Sequence, residues 1–255
     1  MNENKNVRVE NGIASLTVFI EADSCDMTAT WRPSAAVTAM QLATHYAREA
    51  LGIDWGTLAK KEMLWVVSRV NLKLLRIPHL GEKITLQAIP LPPMKALYPW
   101  KFVFLDSMGE LLGEGESLWN LMNAVTRRIA ILPEINAKIP QTTCSATIPA
   151  AAHELSGTTG RRKTLSPVYT DLDINTHVSH LRYIDWCCNA LGPTVMSKYR
   201  IPEFRISYMR EVRAGQTIDT ELRIEEAHFS FCGYHEDELA FVIDGMLERY
   251  EKQNQ

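Results

Sequence analysis

Apolar and polar residues alternate with period two through VNLKLLRIPHLGEKITLQA (70–88): Val70, Leu72 and Leu74 take one face, the chain breaks at Gly81, and alternation resumes at Ile84. Period-two runs broken at a Gly predict two strands joined by a short turn. The figure returns in FRISYMREVRAGQTIDTEL (204–222), where Phe204, Ile206, Tyr208, Arg210, Gly215 and Ile218 stand for Val70, Leu72, Leu74, Arg76, Gly81 and Ile84, an offset of 134 residues (215 − 81). A repeat of this length constrains the architecture more than any single element does.

Each copy follows a stretch with helical spacing. SAAVTAMQLATHYAREALG (34–52) sets Val37, Met40, Ala43 or Thr44, and Ala47 on one face, and HLRYIDWCCNALG (180–192) does the same with Leu181, Ile184, Cys188 and Leu191. Gly52 and Gly192 stand where such helices stop. Further strands are predicted at SLTVFIEA (15–22), WKFVFLD (100–106), LLGEGESLWNLMN (111–123) and LSPVYTDL (165–172). The reading is α+β, two tandem repeats at 1–137 and 164–255, each one helix against an antiparallel sheet, joined by a Thr/Ser/Ala/Pro/Gly-rich linker at 138–163. A long helix held by such a sheet is a hotdog, and its duplication is a double hotdog.

Composition narrows the function. The chain of 255 residues is 46% hydrophobic and 22% charged, enough for a full core without disulfides or metal. A net charge of −3 gives no global basic field, so nucleic acid is not the expected partner. Five cysteines without a CxxC pair, and an N-terminus without an apolar signal core, lead us to expect reduced thiols and a cytoplasmic location. No apolar run approaches the roughly 20 residues of a membrane span.

The stretch DLDINTHVSHLRYIDW (171–186) gathers Asp171, Asp173, Asn175 and His177 ahead of a helix. A calcium loop starting at Asp171 would need Gly at its sixth position and Glu at its twelfth, where Thr176 and Arg182 stand. His177 and His180 lack the third ligand a zinc site requires, so no metal and no cofactor is expected. The nearest approach to a serine-nucleophile elbow, Gly115-Glu116-Ser117-Leu118-Trp119, lacks its closing Gly. Cys187 and Cys188 sit within the helix and read as packing. General-base hydrolysis remains. Alternation through an extended stretch would put Asp173, Asn175 and His177 on one side, and the following helix start would offer N–H groups to a developing oxyanion. Glu211 is informative because its repeat mate is Ile77: only the second copy carries a carboxylate there. Position alone leaves Glu211 open to a solvated pairing with Arg210 or Arg213.

The run D-L-D-x-N-x-H-V, the stretch ESLWNLMNAVTRRIAILPE (116–134) and Met209-Arg210-Glu211 resemble the acyl-acyl-carrier-protein thioesterases of plants and bacteria, over about residues 15 to 250. The resemblance implies a double hotdog that hydrolyses fatty acyl thioesters on acyl carrier protein, a homodimer, and a catalytic set of Asp173, Asn175, His177 and Glu211. Two positions depart from the family. Ser179-His180 replaces the plant Asn-Asn after His-Val, and Val212 stands where members often carry Cys after the Glu. A thiol mechanism at 212 is chemically closed.

On this basis Glu211, assisted by His177, takes a proton from the attacking water, Asn175 and N–H groups at the helix start hold the oxyanion, and Asp173 orients its neighbours or acts on the same water. Met40, Leu42, Trp55 and Leu58 are the expected acyl-pocket wall. Arg127 and Arg128, with Arg161, Arg162 and Lys163, are the expected docking cations for an acidic carrier protein. An acyl-CoA thioesterase and a non-catalytic acyl-binding sensor are the alternatives; mere binding needs no base.

Overall fold

The computed structural model describes residues 6–141, 147–156 and 160–250. The predicted linker at 138–163 therefore lies partly outside the described residues. Two compact units emerge: one runs through Val70 and from Leu74 to Pro149, the other takes Asn71–Lys73 and everything from Ala150 onward.

The first unit contains β1 (Val7–Glu10), β2 (Ile13–Phe19), α1 (Pro33–Ala50), α2 (Trp55–Ala59), β3 (Met63–Leu74), β4 (Lys83–Pro90), β5 (Leu97–Leu105), β6 (Leu111–Asn123) and α3 (Pro133–Asn136). Its strands lie in the order β1-β2-β4-β5-β6-β3. α1 forms where expected: Pro33 supplies a pre-set φ at the first helical position, and Gly52 ends the helix at φ 63. Its buried face, Ala36, Val37, Met40, Ala43 and Ala47, follows the i, i+3/i+4 rule and packs on β2 and β4. Alternation does the rest on the sheet, where Ile84, Leu86 and Ala88 of β4 and Trp100, Phe102 and Phe104 of β5 are buried. Truncating one such aromatic, Phe104→Ala for example, removes about 3–5 kcal/mol of stability.

The second unit contains β7 (Arg161–Leu165), α4 (Tyr183–Leu191), α5 (Pro193–Met196), β8 (Tyr199–Tyr208), β9 (Ile218–Glu225), β10 (His228–His235) and β11 (Glu238–Arg249). Its strand order is β8-β11-β10-β9-β7. Tyr183 meets Phe241 edge-on at 4.8 Å and Tyr208 at 5.3 Å, while Phe231 meets Phe241 at 5.6 Å, which fixes α4 to the sheet through aromatic contacts. Burial pushes the Tyr183 hydroxyl and the Cys187 thiol well up from their ordinary pKa values. Cys187 is thus a core residue rather than a nucleophile.

Three local expectations need correction. LSPVYTDL is not one strand: β7 ends at Leu165, and Tyr169–Asp171 form a single 3-10 turn in which the Val168 N–H donates to Asp171 Oδ2. α4 begins at Tyr183, not at His180, because the Arg182 N–H first closes a turn on the Ser179 carbonyl. The basic run Arg161-Arg162-Lys163 is edge strand β7, not loop. No helix among the described residues is long and apolar enough to cross a membrane.

Candidate active site

Residues 173–178 form a tight turn rather than the extended stretch expected from alternation. Asp173 builds it. Its Oδ1 accepts the N–H of Asn175 at 2.8 Å and of His177 at 3.4 Å, its carbonyl accepts the N–H of Thr176, and its own N–H donates to the His177 carbonyl. An aspartate bonding the backbone two residues on is the standard device for such a reversal. Thr176 takes the left-handed conformation, φ 61, and thereby defeats strict alternation.

The turn is pinned to the loop that carries Glu211. Leu172 bridges Val178, His177 bridges Arg213, and the Val178 N–H donates to the Val212 carbonyl at 2.7 Å. Across this junction His177 Nε2 lies 3.6 Å from Glu211 Oε2, and Arg213 Nη2 lies 3.8 Å from the same oxygen. The imidazole is 16% exposed and the carboxylate 30%, so both are partly withdrawn from water yet reachable. The Tyr208 hydroxyl donates to the His180 carbonyl at 2.8 Å, and the His180 ring stands edge-on to Tyr208.

Of the four residues expected to act together, the structure pairs His177 with Glu211, spends the Asp173 carboxylate on the turn, and leaves Asn175 exposed at the turn's tip. The backbone N–H groups of 175–179 are consumed: those of Asn175 and His177 by Asp173 Oδ1, those of Thr176, Val178 and Ser179 by the carbonyls of Asp173, Val212 and Asp171. They cannot serve an oxyanion without breaking the turn, whereas the Asn175 side-chain amide carries two donors at the exposed tip.

The expected pocket residues divide. Met40 and Leu58 are buried, whereas Leu42 is 41% and Trp55 60% exposed. Among the docking cations, Arg127 sits in a turn at φ 56 with its N–H on the Asn123 carbonyl, and Arg128 is exposed. Arg162 pairs with Glu221 at 3.3 Å, while Arg161 and Lys163 are exposed on β7. Sequence reasoning offered Arg210 or Arg213 as the partner of Glu211, and the structure sets Arg213 beside it while Arg210 pairs with Glu238.

Two family models match, the acyl-ACP thioesterase N-terminal domain over residues 17–139 and its C-terminal domain over 156–242. The chain belongs to the acyl-ACP thioesterase family. Among curated members of the family, the chloroplastic acyl-[acyl-carrier-protein] hydrolase FATB3 of Cuphea viscosissima is 27% identical over 171 residues, 64% of this chain and 42% of the relative. The palmitoyl-acyl carrier protein thioesterase of Gossypium hirsutum is 26% identical over 203 residues, 74% of this chain and 49% of the relative. The chain thus spans about half the length of the curated relatives it matches. Among solved structures in the family, an acyl-ACP thioesterase from Bacteroides thetaiotaomicron superposes with a TM-score of 0.82 at 22% identity, covering 93% of this chain and 98% of that one. The 12:0-ACP thioesterase of Umbellularia californica gives 0.84 at 19%, covering 95% and 100%. Likeness at this identity shows the fold, the double hotdog expected from the sequence.

Proposed function

We propose that the protein hydrolyses fatty acyl thioesters carried on acyl carrier protein, releasing the fatty acid. The single observation that carries the mechanism is the His177–Glu211 pair at 3.6 Å, where the first unit has Thr30 and Ile77 at the corresponding positions. Glu211, held beside the Arg213 guanidinium, removes a proton from a water as it attacks the thioester carbonyl. The proton moves from Glu211 to His177 across their contact and from His177 to the leaving sulfur, so one C–S bond breaks and one C–O bond forms, with no acyl-enzyme. The Asn175 amide takes the oxygen as it gains charge. Asp173 acts through the backbone, holding Asn175 and His177 in register, and is a positioning residue.

Family membership supports the carrier-protein substrate, and the basic residues of β7 support docking of an acidic partner. In the same reading the protein works as a cytoplasmic homodimer, the first unit holds the acyl chain with Met40 and Leu58 inside, and Leu42 and Trp55 line its approach. Free thiol release from acyl-carrier-protein and acyl-CoA thioesters of graded length tests the proposal. Turnover at least tenfold faster on carrier protein is expected; faster turnover on CoA would reassign the substrate, and binding without release would make the protein a sensor.

A further inference from the structure

On α1, Gln41, Thr44 and Arg48 recur at i, i+3 and i+7, a polar stripe on a helix whose other inward residues are apolar. Thr44 is satisfied internally, its hydroxyl donating to the Met40 carbonyl at 2.8 Å. The other two are not: Gln41 Oε1, Arg48 Nε and Arg48 Nη2 are buried without a hydrogen-bond partner among the described residues. Seven residues apart, Gln41 and Arg48 face the same way to within about 20° and lie about 10 Å apart along the axis.

Arg48 is 5% exposed, with its guanidinium carbon 4.2 Å from the ring centre of Trp119, 4.5 Å from Trp65 and 5.7 Å from Trp100. The cage is fixed, since the Trp65 indole N–H donates to the Ile53 carbonyl at 3.0 Å and that of Trp119 to Ser117 Oγ at 2.8 Å. Ring faces answer the positive charge, but they do not accept from N–H groups lying in the guanidinium plane. Burial lowers the Arg48 pKa to about 9, which leaves the group charged at neutral pH. No carboxylate pairs with it among the described residues. A buried cation with two open donors is costly to a fold, and a Met or Leu at 48 would fill the space without that cost.

We propose that Arg48 is a recognition subsite for an oxygen function on the distal part of the acyl chain, a terminal carboxylate above all. The proposal rests on the reading that the first unit receives the acyl chain. Nε and Nη2 form the side-on fork of arginine, which matches the two oxygens of a carboxylate. An unsubstituted hydrocarbon leaves both guanidinium donors unpaired, so Arg48 selects against it.

The test compares two thioesters of equal length on carrier protein, dodecanoyl and 11-carboxyundecanoyl, using the wild type, Arg48→Met and Arg48→Gln. The ratio of kcat/KM, carboxylated over plain, is expected to fall at least tenfold in both variants. Calorimetric titration with dodecanedioate reads the same subsite without turnover, and both variants are expected to bind it at least tenfold more weakly than the wild type. An unchanged ratio and unchanged affinity in whichever variant folds would overturn the proposal and reduce Arg48 to packing. Should the wild type cleave neither thioester, the hydrolase reading falls, and the titration alone decides the subsite.

Discussion

The turns at 26–31 and 173–178 are one piece of backbone used twice, and the second sets an imidazole beside a carboxylate. In each an aspartate accepts the N–H groups two and four residues on, and its own N–H donates to the carbonyl four residues on. In each a left-handed residue follows, Ala29 at φ 58 and Thr176 at φ 61. In each the fifth residue bridges the hairpin loop of its own unit, Thr30 to His79 and His177 to Arg213. The side chains then diverge. Thr28 and Thr30 turn their hydroxyls back onto Asp26 Oδ1 and close the first turn on itself. His177 reaches Glu211, where the first copy has Ile77. The fold supplies the same scaffold twice, and in the proposed reading Asn175, His177 and Glu211 convert one copy into a site.

The comparison breaks most visibly at Glu211. Glu211→Gln is expected to lower kcat by roughly 10² to 10⁴, the usual scale for losing a general base, with an unchanged melting temperature. Steady-state thiol release beside a thermal melt checks both halves of that statement. Asn175→Ala should lower kcat by about 10²–10³ with little change in KM, the signature of a lost oxyanion donor; Thr28→Ala, its counterpart, should leave kcat alone. If Asn175→Ala instead raises KM at constant kcat, the amide binds the ground state and the oxyanion donor lies elsewhere.

The two aspartates sharpen the point, because they share a structural duty. Asp26→Ala and Asp173→Ala should each cost about 1–2 kcal/mol by denaturant unfolding, through backbone N–H groups left without an acceptor. Only the second should also slow turnover, by roughly tenfold. The smallest effect concerns β7. Reversing Arg161, Arg162 and Lys163 to Glu should raise KM for the carrier protein several-fold at low salt, spare acyl-CoA, and fade as salt rises; reversal of Arg127 and Arg128 is the parallel trial. Basic residues on an edge strand also block edge-to-edge pairing, so a reversed protein that aggregates without a change in KM would assign them that duty instead.

Much of the scaffold was legible because it is written in local pattern. Period-two alternation and the pair Gly81 and Gly215, both left-handed at φ 87 and 82, located the repeated hairpins, and Gly52 marked the end of α1. The repeat of the turn was equally present in the sequence as Asp26-Met27-Thr28-Ala29-Thr30 and Asp173-Ile174-Asn175-Thr176-His177, but at an offset of 147 (173 − 26). The first unit places 13 more residues (147 − 134) between its turn and its hairpin glycine, so a single offset missed it. Alternation also misled at 173–177, where an Asx turn and a left-handed threonine override the strand pattern. The Arg48 cage left no sequence signal at all, since Trp65, Trp100 and Trp119 converge from three strands with no shared period.

The most direct measurement sets the two copies side by side: kcat on one acyl-carrier-protein thioester for Thr30→Ala/Ile77→Ala and for His177→Ala/Glu211→Ala, each shown to be folded by its thermal melt. The first pair is expected to stay within about twofold of the wild type and the second to lose roughly 10² to 10⁴, the range of a removed acid–base group. Comparable losses in both folded variants, or a second pair that still turns over at the wild-type rate, would contradict the assignment of the chemistry to the second turn.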